Sequence, residues 1–342
     1  MLLPCTKENI ERAAKILSGG GLVAFPTETV YGLGADAFNK EALVRIFEVK
    51  SRPFFDPLIV HIADLDSLHR LVNFDVMCNA AKQNLKSLCE VLWPGALTLV
   101  LPKNDDVPLL ATGGLETVAV RFPDNETALN LIRFSTGAIA APSANPFGYL
   151  SPTRAKHVED QLGDKVDIIL DGGKTAIGIE STVLDLSCTR PKILRQGGVE
   201  QEKIEKIIGK IDNQIEKTYE ANQKISSPGQ LKSHYSPKTR LILHKTNEII
   251  SMPFEKKEAF LFFDDNSAQH WREFNKNECN IKQNCVFILS FEGDLNEAAA
   301  NLFDILHKID SLGFNIIHAE YAADFGLGRA INDRLARAGV KV

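Results

Sequence analysis

Apolar positions in the first two hundred residues switch between helical spacing and short runs. From Lys7 to Ser18, Ile10, Ala13, Ala14 and Leu17 fall three and four apart, and Gly19-Gly20-Gly21 follows as a stop. That spacing predicts a helix ahead of the first strand. Residues 22–25 form a short apolar run ended by Pro26, and similar runs recur at 58–62, 97–101, 117–122, 138–141, 168–170, 182–186 and 193–194. Helical patterns separate several of these, notably 41–49 with Leu43, Ile46 and Phe47, and 154–162 after the Ser151-Pro152-Thr153 turn. Some strands follow one another with no room for a crossover helix. The first part therefore reads as α/β around a mixed sheet.

From Glu200 the chain turns helix-prone and charged to about Lys217, then polar and punctuated by Pro228, Gly229 and Pro237. Residues 211–237 read as a linker between domains. Beyond it, strand-like runs at 241–243, 260–263, 286–289 and 316–317 alternate with helical ones at 295–309 and 329–338, the βαβ signature of a smaller, mainly parallel sheet. The division expected is a domain over 1–210, a linker over 211–237 and a second domain over 238–342.

Composition agrees with two globular domains: 342 residues, 44% hydrophobic and 24% charged. The formal charge of −5 argues against a chain-wide electrostatic footprint for nucleic acid or an anionic membrane, and leaves room for a local basic pocket. Six scattered cysteines with no C-x-x-C pair disfavour a disulfide framework or a cysteine zinc site and suit a reducing compartment. No apolar run approaches the roughly 18 residues of a membrane span. The expected location is the cytoplasm.

The densest candidate chemistry is Pro26-Thr27-Glu28-Thr29-Val30-Tyr31-Gly32-Leu33-Gly34, which follows a strand and mixes hydroxyls with glycines. A glycine-containing turn and a ligand loop with close backbone approach both fit it. Gly32-x-Gly34-x-x-Ala37 satisfies the dinucleotide fingerprint as text, but Pro26 to Tyr31 separate it from the strand where a tight turn is needed. Gly173-Lys174-Thr175 resembles a P-loop tail, yet the leading glycine position is Ile168, and the histidines make no H-E-x-x-H pattern. Lys50 and Arg52 end a predicted helix. They can complement its C-terminus or contact phosphate oxygens, as a point charge and a bidentate fork. Ala141-Pro142-Ser143-Ala144-Asn145 follows a strand and Ser151 precedes a helix, where hydroxyls serve as caps or anion contacts. His61 alone reads as a strand histidine. Arg121, beside Val118-Ala119-Val120, is more telling, because an arginine inside a buried strand requires an anionic partner.

Taken together, the run Pro26–Gly34, the Lys50-x-Arg52 pair, Ser143-x-Asn145, the segment from Gly178 to Leu186, the run from Leu194 to Gly198, and Ser227 to Pro237 resemble the two-domain threonylcarbamoyl-AMP synthases. The similarity runs in order over nearly the whole chain, to the segment from Gly326 to Gly339. It implies a YrdC-type twisted mixed sheet with helices, followed by a smaller Rossmann-like domain. The implied enzyme is a nucleotidyltransferase that joins L-threonine, bicarbonate or CO2, and ATP into threonylcarbamoyl-AMP with release of pyrophosphate, using Mg2+. The product would pass to a tRNA threonylcarbamoyl-transferase complex that modifies adenosine 37.

Carried over by position, the resemblance assigns the L-threonine pocket to Thr29, His61, Arg121, Ser181 and main chain at Ala141. It assigns ATP to Lys50, Arg52, Asp56, Thr117, Ser143, Asn145, Ser151, Arg195 and Tyr235, the last from a linker that folds over the site. Lys50 and Arg52 would be the catalytic charges. Two positions depart from the family pattern: Asp56 stands where Asn is usual, and Ser51 replaces the Gly between Lys and Arg. Threonine's amine can form a carbamate without an enzyme nucleophile, so positioning and charge stabilisation would carry catalysis. Two other readings stand beside this one. In one the basic cavity of the first domain binds RNA directly, as tRNA or double-stranded RNA; in the other the chain has a carbamoyl-transfer role like that of the YrdC-type domain in hydrogenase maturation proteins, whose zinc-finger and acylphosphatase modules this sequence lacks.

Overall fold

Thr6 opens the first helix, its hydroxyl accepting the Asn9 amide, and Gly19 closes it by returning its amide to the last turn. One face of this helix, α1 (Lys7–Ser18), buries Ile10, Ala13, Ala14 and Leu17, as its spacing predicted. That face packs with Val23, Phe25, Leu129, Ile132, Ile139, Ile168 and Leu170 in one core cluster. In this computed structural model residues 1–188, 190–211, 235–277 and 285–339 are described, and they divide into two units. The first takes 1–147, 151–176 and 180–211, and the second takes 148–150, 177–179 and the described residues from 235 onward.

The first unit is built on a mixed sheet whose strands are β1 (Leu2–Pro4), β2 (Val23–Phe25), β3 (Gly32–Asp36), β4 (Ile59–Ile62), β5 (Leu97–Pro102), β6 (Thr117–Arg121), β7 (Ala138–Ala140), β8 (Ile168–Asp171), β9 (Thr182–Asp185) and β10 (Lys192–Arg195). They lie in the order β1-β8-β2-β3-β7-β4-β6-β5-β9-β10. Helices α2 (Lys40–Lys50), α3 (Leu68–Leu71), α4 (Asn79–Leu92), α5 (Glu126–Phe134), α6 (Ala155–Leu162) and α7 (Gln201–Ile208) complete it. Parallel pairs such as β4 with β6 alternate with antiparallel ones such as β5 with β6, so the expected mixed sheet is present.

The glycine run has a different use from close approach to a ligand. Pro26 to Tyr31 is the connection of a β2–β3 pair, and Gly32 and Gly34 lie within β3. A Cβ at Gly34 would come within 2.8 Å of both the Phe25 ring and Ile139, so packing against an aromatic ring excludes a side chain there. The turn after Tyr149 also differs from expectation. Helix α6 starts at Ala155 with Arg154 at its N-cap and no side-chain cap, and the Ser151 hydroxyl is turned to Glu180.

The second unit is a parallel sheet ordered β11-β14-β12-β13, from β11 (Arg240–His244), β12 (Glu258–Phe262), β13 (Val286–Ile288) and β14 (Ile316–Glu320). Its helices are α8 (Thr246–Ile249), α9 (Asp265–Phe274), α10 (Leu295–Ser311) and α11 (Gly328–Gly339). Trp271 of α9 packs on Phe260 and Phe262 in a core that also holds Ile249 and Cys285. Gly328 opens α11 where a Cβ would collide with the Ala323 carbonyl, so the Gly326-x-Gly328 segment is a packed turn. Of the stretch read as a linker, 212–234 lies outside the described residues.

Candidate active site

Three neighbouring strands carry the first group of side chains. Register places His61 of β4 and Thr98 of β5 on either side of Arg121 of β6. All three are buried. The Arg121 guanidinium donates from Nε to the Gly95 carbonyl at 3.3 Å and from Nη1 to Thr29 Oγ1 at 2.8 Å, and its Nη2 lies 2.7 Å from Glu28 Oε1. Thr27 fixes the loop that brings Thr29 here: its Oγ1 accepts the Thr29 and Val30 amides and donates to the Val30 carbonyl. Burial, and then the neighbouring Arg121 charge, push His61 down to about 3, so its imidazole is neutral at physiological pH. Ser181 joins from the other side, its hydroxyl 2.7 Å from that of Thr98.

A second group adjoins the first through Arg195, which donates from Nε and Nη2 to the Ser181 carbonyl at 3.1 and 2.9 Å. A Cβ at Gly197 would lie 2.3 Å from the Ser181 backbone, so only glycine permits this approach of the chain after β10 to the start of β9. Lys50 is 1% exposed at the end of α2 and donates to the carbonyls of Ser143, at 2.5 Å, and Asn145. Burial first, and then Arg52, drive its ammonium well below the usual lysine range. Arg52 is paired with Asp56 at 2.9 Å and also donates to the Asp56 and Pro57 carbonyls. Burial raises the Asp56 carboxyl against the opposing pull of Arg52, Lys50 and Arg195, the basic side chains near it.

The backbone ties these groups together. Leu33 donates to Pro142 and Ala144 donates to Tyr31, which stitches the 26–34 run to the Ser143–Asn145 segment. The Ala141 amide is committed to the Ile59 carbonyl. Thr117 begins β6 on the face that Arg121 shares four residues on. Ser151 is fully buried against Glu180, next to Ser181. The first unit thus brings together Thr29, His61, Arg121 and Ser181, and beside them Lys50, Arg52, Asp56, Ser143, Asn145 and Arg195. Tyr235 belongs to the second unit, where its ring lies 5.7 Å from Phe303 and 5.0 Å from the Arg334 guanidinium carbon.

The arrangement is a buried set of hydroxyls and a neutral imidazole around the Arg121–Glu28 pair, next to a cluster of basic side chains suited to a polyanion. Comparison with known proteins gives it a family. Residues 15–197 match the Sua5, YciO and YrdC family model described as telomere recombination, and residues 199–339 match the threonylcarbamoyl-AMP synthase C-terminal domain. The chain belongs to the threonylcarbamoyl-AMP synthase family. It is 41% identical to the threonylcarbamoyl-AMP synthase of Pyrococcus abyssi over 335 residues, 96% of this chain and 93% of that protein. The Bacillus subtilis synthase is 40% identical over 338 residues, covering 96% and 92%. The crystal structure of P. abyssi Sua5 complexed with L-threonine superposes with a TM-score of 0.85 at 38% identity, over 99% of this chain and 96% of that one.

For a member of this family, Thr98, Glu28 and Glu180 are additions that the sequence reading passed over. Thr98 was visible as a hydroxyl inside an otherwise apolar run, and Glu28 lay within a run already singled out. Glu180 lay within the 178–186 segment that carries the resemblance, but only the fold turns it to Ser151.

Proposed function

We infer that this chain is a nucleotidyltransferase that condenses L-threonine, bicarbonate or CO2, and ATP into threonylcarbamoyl-AMP and pyrophosphate. The observation that carries this reading is whole-chain correspondence with a threonine-bound relative, combined with a buried Arg121 adjoining a cluster of three basic side chains. L-threonine would place its carboxylate on Arg121, which is held from two other directions and so presents its fork in a fixed orientation. The side-chain hydroxyl would meet neutral His61 or the hydroxyls of Thr29 and Ser181.

The triphosphate would lie along Lys50, Arg52 and Arg195, with Thr117, Ser143, Asn145 and Ser151 as further ATP contacts. A phosphate beside Lys50 restores the charged ammonium that burial disfavours. The ammonium first gives up a proton to solvent; threonine's amine nitrogen then attacks the carbon of CO2 to give a carbamate with release of a second proton, and a carbamate oxygen attacks the α-phosphorus in line. The bond to the bridging oxygen breaks, and pyrophosphate leaves with the electron pair. Lys50 and Arg52 stabilise the charge that accumulates on the phosphoryl oxygens.

Among the described residues no group of three or more acidic, histidine or cysteine side chains forms a metal cage. The site suits Mg2+ carried by the nucleotide, which binds phosphate oxygens and water together with one or two carboxylates. Asp56 is the carboxylate within the cation cluster, and its Oδ1 makes no hydrogen bond. The metal would supply charge neutralisation on the triphosphate. Transfer of the product to a tRNA-modifying complex and a cytoplasmic location belong to the same proposal; no helix among the described residues is long and apolar enough to cross a membrane. The test is product identity: 13C-bicarbonate, L-threonine and ATP should yield a 13C-labelled threonylcarbamoyl-AMP by mass spectrometry, and its absence from active, ATP-binding protein would overturn the reading.

A further inference from the structure

An α-amino acid at neutral pH carries a carboxylate and an ammonium on one carbon, and Arg121 answers only the first. Glu28 stands next to it. Its side chain is nine-tenths buried, and its Oε1 lies 2.7 Å from Arg121 Nη2. Neither of its carboxylate oxygens accepts an aligned hydrogen bond. A buried carboxylate offers about four lone-pair sites, and leaving them unused is costly. Arg121 does not depend on Glu28 for its orientation, because Gly95 and Thr29 hold its Nε and Nη1. The nearby hydroxyls of Thr27 and Thr29 are engaged with each other, with Val30 and with Arg121, so none of them is a donor aimed at Glu28. His61 is neutral here and supplies no competing cation.

We propose that Glu28 binds the α-ammonium of the amino-acid substrate, forming with Arg121 an anion–cation pair matched to the zwitterion. The assignment rests on the L-threonine reading above and extends it to the other end of the substrate. A neutral zwitterion entering a pocket that holds one cation and one anion leaves no buried charge uncompensated. Threonine's analogue with a hydroxyl in place of the amine, (2S,3R)-2,3-dihydroxybutanoate, brings a net negative charge and offers Glu28 one neutral O–H donor in place of three charged N–H donors. The pair therefore selects for the amine that the reaction carboxylates.

Calorimetric titration of the full chain tests this with L-threonine and the dihydroxy analogue as probes, using wild type, Glu28→Gln and Glu28→Asp, with ATP binding and melting temperature as controls of folding. Wild type should favour L-threonine over the analogue by about tenfold or more, the factor expected of one hydrogen bond to a charged group. Glu28→Gln should weaken L-threonine by a similar factor and leave the analogue unweakened or tighter, because the buried negative charge opposing it is gone, and Glu28→Asp should recover part of the loss of L-threonine. Unchanged L-threonine affinity in Glu28→Gln, or equal loss of both ligands, would overturn the assignment while leaving the threonine pocket standing. The wild-type comparison needs no variant: equal affinity for the two ligands overturns it alone. Wild-type protein that binds no L-threonine would bring down the pocket reading and this assignment together.

Discussion

Arg121 shows how one residue can be legible in a sequence while its partners are not. A cation among Val118, Ala119 and Val120 announces a buried charge, because such a residue is stable only when paired. Nothing local says that the partner is Glu28, 93 positions earlier, or that Thr29 and Gly95 orient the guanidinium. Those facts come from the fold, which brings the 26–31 connection and the loop before β5 up to Arg121. The same geometry sets the consequence of a conservative change. Arg121→Lys keeps a charge opposite Glu28, so folding is largely preserved, but a single ammonium cannot reach Gly95, Thr29, Glu28 and a substrate carboxylate in the fork geometry. The KM for L-threonine should rise about tenfold or more, with ATP affinity within about twofold of wild type. Equal loss of both affinities in a steady-state titration would remove Arg121 from the carboxylate role.

At the scale of elements, strand positions were readable where apolar runs were continuous and failed where packing used glycine and at the sheet edge, where the three-residue β1 precedes the helix expected to come ahead of the first strand. β4, β5, β6 and β9 fall where the runs at 58–62, 97–101, 117–122 and 182–186 place them. β3 was missed because Gly32 and Gly34 look like a turn, although they are strand residues cleared for the Phe25 ring. The end of α2 explains one departure from the family pattern. Ser51 caps the helix with φ at 52° and ψ at 41°, the left-handed conformation that glycine adopts without a Cβ penalty. Ser51→Gly should therefore stabilise the protein by roughly 0.5–1 kcal/mol, the steric relief less the added freedom of the unfolded chain. Thermal unfolding reads this directly, and a destabilised variant would mean that the serine side chain contributes more than its strain costs.

Across the whole molecule, the two-part α/β plan followed from the change in pattern near Glu200, whereas the allocation of 148–150 and 177–179 to the second unit has no local signature. One buried group links the site to global stability. His61 is depressed to about 3, so below the ordinary histidine value near 6.5 the unfolded chain takes up a proton that the folded one refuses. Its contribution is present above pH 6.5 and is lost as pH falls towards 3. Between pH 6.5 and 5, wild type should lose roughly 2 kcal/mol more than His61→Gln in urea unfolding. Parallel pH profiles for the two proteins would contradict a neutral buried imidazole.

The central claim is the reaction itself, and pyrophosphate release by purified full chain tests it most directly. Release from ATP should require L-threonine and bicarbonate together, fall sharply with L-serine in place of L-threonine, and stop when EDTA removes the metal. Release that is indifferent to L-threonine or bicarbonate, or no release from protein that is folded and binds ATP, would contradict the account.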